Sequence, residues 1–260
     1  MGKRHVEAWM DSVRLADLGP ILIDNVEESE PDQDITYGDR PSRGGRDILK
    51  SKRISPKIII SAKIHELYDL DKRAYTAQAI AKWAEGSILE LSYRPGQRIR
   101  VSKTKTPALG NVRDFNHIIQ IELEADEFPY WEDKNKNEVT GSGSTGSTSL
   151  LIAGTAKEIP VEVSFTPTGG ALTGMTVTAA CGGVTRSIQL TSLSVAQNSA
   201  VVFGRDSHDR LTIKNGSTSL MSKRTQGSAD DLILPAGVAT VSWSANVTGS
   251  AKFSARGRWL

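Results

Sequence analysis

Apolar and polar residues alternate with a period of two along most of this chain. Ile58, Ile60, Ala62 and Ile64 fall on one face, and Lys57, Ser61, Lys63 and His65 on the other, with Ile59 as the exception. His117, Ile119, Ile121 and Leu123 oppose Asn116, Gln120, Glu122 and Glu124; Leu89, Leu91 and Tyr93 alternate with Glu90 and Ser92, and Ile99 and Val101 with Arg98 and Arg100. Such runs are half-buried strands of an antiparallel sheet. Arg94, Pro95, Gly96 and Gln97 form a turn between two of them.

One stretch carries a different period. Over residues 71–85, Ala74, Ala77, Ile80, Ala81 and Ala84 recur at spacings of three and four beside Trp83, with Asp69 or Asp71 to cap the start and Gly86 to end it. This predicts a helix of about four turns inserted between strands. Residues 27–49 and 103–115 show neither period and are expected to be long, irregular loops of the kind that bind something.

Near the C-terminus the two-residue period returns. Ala239, Val241, Trp243, Ala245 and Val247 alternate with Thr240, Ser242, Ser244 and Asn246; after Thr248-Gly249-Ser250, Ala251, Phe253, Ala255 and Trp259 alternate with Lys252, Ser254, Arg256 and Arg258. The pattern predicts a β-hairpin with one buried face. Short strands at Val161 to Phe165, Met175 to Ala179 and Ile188 to Leu190, and a tight turn at Asn215-Gly216, make a β-sandwich the expected fold of this half.

Composition divides the chain near residue 140. Residues 1–140 carry 22 Lys+Arg and 24 Asp+Glu, a net charge of −2; residues 141–260 carry 10 and 6, a net +4, and 48 of these 120 residues are Ser, Thr or Gly. The organisation expected is a domain over 1–140, a Ser/Gly/Thr linker over 141–149 and a second domain over 150–260. With charges nearly balanced, no basic face suggests binding through nucleic-acid phosphates. Cys181 is alone, so no internal disulfide forms. The start lacks the apolar core of a signal peptide and no stretch approaches a membrane span, so folding in a cytoplasm without membrane insertion is expected.

Candidate chemistry is sparse. Gly141-Ser-Gly-Ser-Thr-Gly146 matches the dinucleotide-binding pattern, but a charged segment precedes it and Ser/Thr follows, which suits a linker better. Asp206-Ser-His-Asp209 gathers triad residue types side by side, whereas a triad needs groups converging from separate places; a surface turn is expected, with His208 and Asp209 dispensable for stability. Glu27, Glu28, Glu30, Asp32 and Asp34 lack the spacing of a calcium loop. His5, His65, His117 and His208 form no pair at metal-ligand spacing. Cys181 is expected at a strand end. Phe165, Phe203, Trp243, Phe253 and Trp259 are expected to be core rather than a sugar-binding face. No catalytic, metal-binding or cofactor-binding residues are assigned, and the chain is expected not to be an enzyme.

The order of these pieces resembles the distal tail protein (Dit) family of long, non-contractile-tailed bacteriophages and prophages. The resemblance rests on five stretches: an opening strand pair at Ser12 to Leu15 and Ile21 to Glu28; the Gly/Arg loop of residues 40–47 leading to the strand at 57–65; the helix end Ala81-Lys-Trp-Ala-Glu-Gly86 followed by Leu89-Glu-Leu-Ser-Tyr-Arg-Pro-Gly96; the segment from Ile119 to Trp131; and, in the second half, Leu232-Ile-Leu-Pro-Ala-Gly237 with Ala255-Arg-Gly-Arg-Trp259. It spans nearly the whole chain.

The resemblance implies a mainly β protein. Its N-terminal part would be an antiparallel β-sandwich or barrel-like ring-forming domain with one inserted helix, and its C-terminal part a galectin-like β-sandwich. It implies a virion protein at the phage tail tip, assembled in the host cytoplasm. The chain would form a homo-oligomeric, hexameric ring joining the tail tube protein to the tail-associated hub protein and baseplate, with receptor-binding proteins anchored outside and DNA only passing through the channel. The His, Asn, Arg and Trp set with which galectins bind sugar is missing here, so that activity is not carried over. A carbohydrate-binding adhesin and another β-rich tail subunit are the alternatives.

Overall fold

The computed structural model describes residues 6–29, 33–39, 46–53, 55–65, 69–105, 118–125 and 130–260. The chain divides into two compact units, Met1–Trp131 with Leu260, and Glu132–Trp259.

In the first unit, strands β1 (Ala8–Met10), β2 (Val13–Arg14), β3 (Ile21–Glu28), β4 (Gln33–Asp39), β5 (Arg46–Arg53) and β6 (Lys57–Ile64) precede helix α1 (Leu70–Trp83), and β7 (Ile88–Leu91), β8 (Gln97–Lys105) and β9 (Ile118–Ala125) follow it. They pair antiparallel in the order β2-β1-β7-β8-β9-β6-β3. β8 serves two neighbours, pairing at Ile99 and Arg100 with β7 and from Val101 to Lys105 with β9. The alternation read from sequence decides which side chains go inside: Ile58, Ile60, Ala62 and Ile64 from β6, Ile119, Ile121 and Leu123 from β9, and Leu89, Leu91, Ile99 and Val101 are all buried. Ile59 breaks the pattern because it sits on the outer face, in register between Glu27 and Glu122.

The helix begins one residue earlier than expected. Asp69 is its N-cap, accepting from the backbone N–H groups of Asp71 and Lys72. Those bonds hold its carboxyl below the usual carboxylate range, the Lys72 N–H contributing most. Ala77, Ile80, Trp83 and Ala84 are buried together with Arg73 and Thr76, while Ala74 and Ala81 lie at the margin. The Trp83 indole donates to the Val13 carbonyl at 2.7 Å.

Several expectations are corrected here. Tyr93 is not a strand residue: β7 stops at Leu91, and Tyr93 enters the turn in which Gly96 adopts φ +80°. The described residues within 27–49 are not irregular, since β3 runs to Glu28 and β4 pairs with β5 as a two-stranded ribbon. The opening strand pair is also different: β2 pairs with β1 through a turn in which Asp11 and Ser12 both have positive φ, whereas β3 pairs with β6. In the segment 103–115, β8 continues to Lys105. Residues 106–115, the 40–45 part of the Gly/Arg loop, and residues 126–129 lie outside the described residues.

The second unit is built from β10 (Trp131–Ile152, all but its first residue), β11 (Ile159–Pro167), β12 (Met175–Cys181), β13 (Val184–Leu190), β14 (Val201–Arg205), β15 (Leu211–Asn215), β16 (Thr218–Ser219), β17 (Ile233–Leu234) and β18 (Gly237–Trp259). β18 organises it. Its residues from Thr240 to Ala245 pair antiparallel with β12, which continues to β13; those from Gly249 to Ala255 pair antiparallel with β11, which continues to β14, β15 and β16.

The expected hairpin turn at 248–250 therefore lies inside one continuous strand whose two arms bond to different neighbours. At about 3.3 Å per residue a straight strand would separate Trp243 from Phe253 by roughly 33 Å. Their ring centroids are 5.9 Å apart, so the strand folds over between them and brings both rings into one core. Gly249 is required there because a Cβ would run into the Phe165 ring. Phe165, Phe203, Phe253, Val163, Val177 and Ile213 are fully or almost fully buried around this fold-over.

Residues 141–149 are expected from the sequence to be a linker. Those residues lie within β10, and the boundary between the compact units falls between Trp131 and Glu132. The Asn137 side-chain amide donates to the Leu151 carbonyl at 3.1 Å, although fourteen extended residues would span about 46 Å. β10 thus folds back at its glycines. Gly143 has φ +124°, and a Cβ at Gly141 or Gly146 would collide with the Trp243 ring, whose N–H donates to the Gly143 carbonyl at 3.3 Å. The composition that suits a flexible tether here serves close approach to an indole.

Candidate functional site

The segment Asp206 to Arg210 is a turn between β14 and β15, as expected. The Asp206 carboxylate accepts from the backbone N–H groups of His208 and Arg210, both at 2.9 Å, and the Asp209 N–H donates to the Asp206 carbonyl at 3.1 Å. The Arg210 and His208 N–H groups hold the Asp206 carboxyl below its ordinary range. His208 is exposed.

Asp209 departs from expectation. It has φ +57°, and its carboxylate accepts from Arg258 at 2.8 Å. The Arg258 side chain, only 7% exposed, also donates to Glu132 at 3.1 Å and to the Glu158 carbonyl at 3.3 Å. Next to this group, Arg205 makes a two-pronged pair with Asp231, at 2.6 and 2.5 Å, and donates to the Asp209 carbonyl at 3.1 Å. The Asp209 backbone and side chain therefore join two buried arginines. At the start of β10, Asp133 accepts from the Trp259 indole through its carboxylate and from Arg256 through its carbonyl. These contacts fasten the first residues of the second unit to its last strand.

The first unit contains a comparable cluster. Glu28 accepts from Arg94 Nε and Nη2, at 3.2 and 2.9 Å, from the Trp131 indole at 3.1 Å and from the Tyr93 hydroxyl. The Arg94 guanidinium lies over the Trp131 ring, 4.7 Å from its centroid. Burial, followed by the hydrogen bond and charge of Glu28, pushes the Tyr93 phenol well above its usual range. At neutral pH it remains a donor.

Chemically, these groups are clamps. Each carboxylate at their centres already bonds to cations or N–H donors. Of the acidic run, Glu28 is spent in this way and Glu27 accepts from Asn25. Glu30 and Asp32 lie outside the described residues, as does the side chain of Asp34. His5 and His117 also lie outside the described residues, and His65 is exposed at the end of β6. Among the described residues, no group of three or more His, Cys, Asp or Glu is arranged to hold a metal ion, and no helix is long and apolar enough to cross a membrane. Cys181 is buried at the end of β12, as expected. Phe165, Phe203, Trp243 and Phe253 are core, and Trp259 is half-buried. The clamps had no local signature in the sequence, because their members stand up to 126 positions apart.

No family model and no curated protein matches this chain. Among solved structures it is similar to Dit of phage SPP1, described as a paradigm of the hub adsorption apparatus in phages infecting Gram-positive hosts. That likeness has 14% identity and a TM-score of 0.70, and covers 99% of this chain and 100% of the other. Two structures of the phage P2 baseplate in its activated conformation, with Ca and with Sr, match at 10% and 11% identity, both with a TM-score of 0.47. They cover 97% and 98% of this chain, and the same shares of theirs. The fold, over the full length of the chain, is that of SPP1 Dit.

Proposed function

We propose that this protein is a structural hub of a long-tailed phage tail tip, belonging to the virion rather than acting as an enzyme. The observation that carries the reading is the fold likeness to a phage hub protein, which covers 99% of this chain and 100% of the other. The polar clusters support it, since their carboxylates and guanidiniums are bonded to one another as fasteners.

In this reading the first unit forms a hexameric ring between the tail tube protein and the tail-associated hub protein. The galectin-like second unit faces outward, where receptor-binding proteins attach. DNA passes through the channel without being bound, and assembly takes place in the host cytoplasm. Closed rotational symmetry fits a chain that presents the same surfaces in every copy. Six copies of 28.1 kDa amount to about 169 kDa. Native mass measurement with electron-microscopy class averages tests this. A sixfold ring of that mass is expected, and a protein that stays monomeric alone and with its tail tube protein contradicts it.

A further inference from the structure

We propose that residues 138–149 form a clasp around Trp243 that opens locally while the rest of the second unit stays folded. From Glu132 to Ser149 no side chain of β10 is buried, and burial resumes only at Leu150 and Ile152. Both ends of this stretch are fixed. Asp133 is bonded to Trp259 and Arg256, Leu150 and Ile152 are in the core, and the neck is closed by the Asn137 bond to the Leu151 carbonyl.

Between those ends, besides the backbone pairing of β10 with β18, the deepest side-chain contact is the Trp243 indole, which lies against Gly141 and Gly146 and donates to the Gly143 carbonyl. Its charged anchors, Glu138 with Lys252 and, just outside it, Lys136 with Glu162, are 30–47% exposed and so weak and screened by salt. A segment of Gly, Ser and Thr that buries no side chain of its own gains little by closing and loses little by opening. The arms beside it behave differently, since β11 and β12 each bury every second side chain. Opening uncovers an indole that is 5% exposed when the clasp is shut, and frees the β18 backbone alongside it. This inference does not depend on the tail-hub reading.

Hydrogen exchange read by mass spectrometry on the full chain tests it. Amides of 138–149 are expected to exchange at least about tenfold faster than those of β11 and β12, and faster again when salt is raised. In Gly146→Ala, whose methyl group collides with the indole, exchange of 138–149 is expected to rise about tenfold further while β11 and β12 keep their rates. Gly141→Ala, whose methyl group meets the same ring, is expected to act in the same way and guards against a misfolded Gly146 variant. Exchange of 138–149 at the same rate as β11 and β12 in the unaltered protein would overturn the proposal, as would either folded variant speeding all three segments equally.

Discussion

β10 and β18 are neighbours in the second unit, both more than twenty residues long and both folded over on themselves, yet they are held by opposite means. β18 supplies its own adhesion: Ala239, Val241, Trp243, Ala251, Phe253 and Ala255 all enter the core. β10 contributes almost none over its middle and depends on what its neighbours place against it. Alternation therefore marks a strand that brings its own buried face, whereas a strand that only covers another residue needs small side chains and open backbone. The same composition describes a flexible tether, which is why the two are confused.

Removing a core ring from the self-adhering partners should have the largest effect. Phe253→Ala or Phe165→Ala is expected to cost about 3–5 kcal/mol, read as a fall in the denaturation midpoint, because each ring is fully buried. Asp209→Ala comes next, at about 2 kcal/mol, since it removes a carboxylate partner of the buried Arg258. His208→Ala, one position earlier in the same turn, is expected to stay within about 0.5 kcal/mol, so the difference between these neighbours isolates the clamp from the turn.

In the covering strand, Gly146→Ala is expected to cost about 1–2 kcal/mol by overpacking Trp243, while Gly204→Ala in β14, where a Cβ meets nothing closer than 3.8 Å, should shift stability by less than about 0.5 kcal/mol. A double-mutant cycle on Glu138 and Lys252 should give the smallest coupling, about 0.2–0.5 kcal/mol and vanishing in high salt. The Asp206 carboxyl should titrate below the ordinary Asp range by NMR. Because its pKa is depressed in the fold, its contribution is present above the unfolded value and lost as pH falls through the folded one. An ordinary titration would mean that the turn is not held by the Arg210 and His208 N–H groups.

The parts legible in the sequence are those that carry their own period or cap. β6, β9 and β18 announce their buried faces, and Asp69 with Ala77, Ile80, Trp83 and Gly86 announces the helix. What was not legible depends on partners distant in the chain. Gly141, Gly143 and Gly146 acquire meaning only once Trp243, about a hundred positions on, is known to lie against them. Asp209 reads as a turn residue until Arg258 arrives from the last strand. Thr248-Gly249-Ser250 reads as a hairpin turn because the clash that demands Gly249 comes from Phe165. The β4–β5 ribbon has only Ile35 and Tyr37 in alternation in β4, and the adjacent Ile48 and Leu49 in β5, too short a pattern to signal it.

The most direct test of the division proposed here compares two fragments, 132–260 and 150–260, by thermal unfolding followed in the near-ultraviolet circular dichroism. If β10 belongs to the second unit, 132–260 unfolds cooperatively with fixed aromatic signals, while 150–260, without the cover over Trp243 and without the Glu132 and Asp133 anchors, melts at a clearly lower temperature with a weakened signal. Equal melting temperatures and equal aromatic spectra would contradict it and restore 141–149 to the role of a tether.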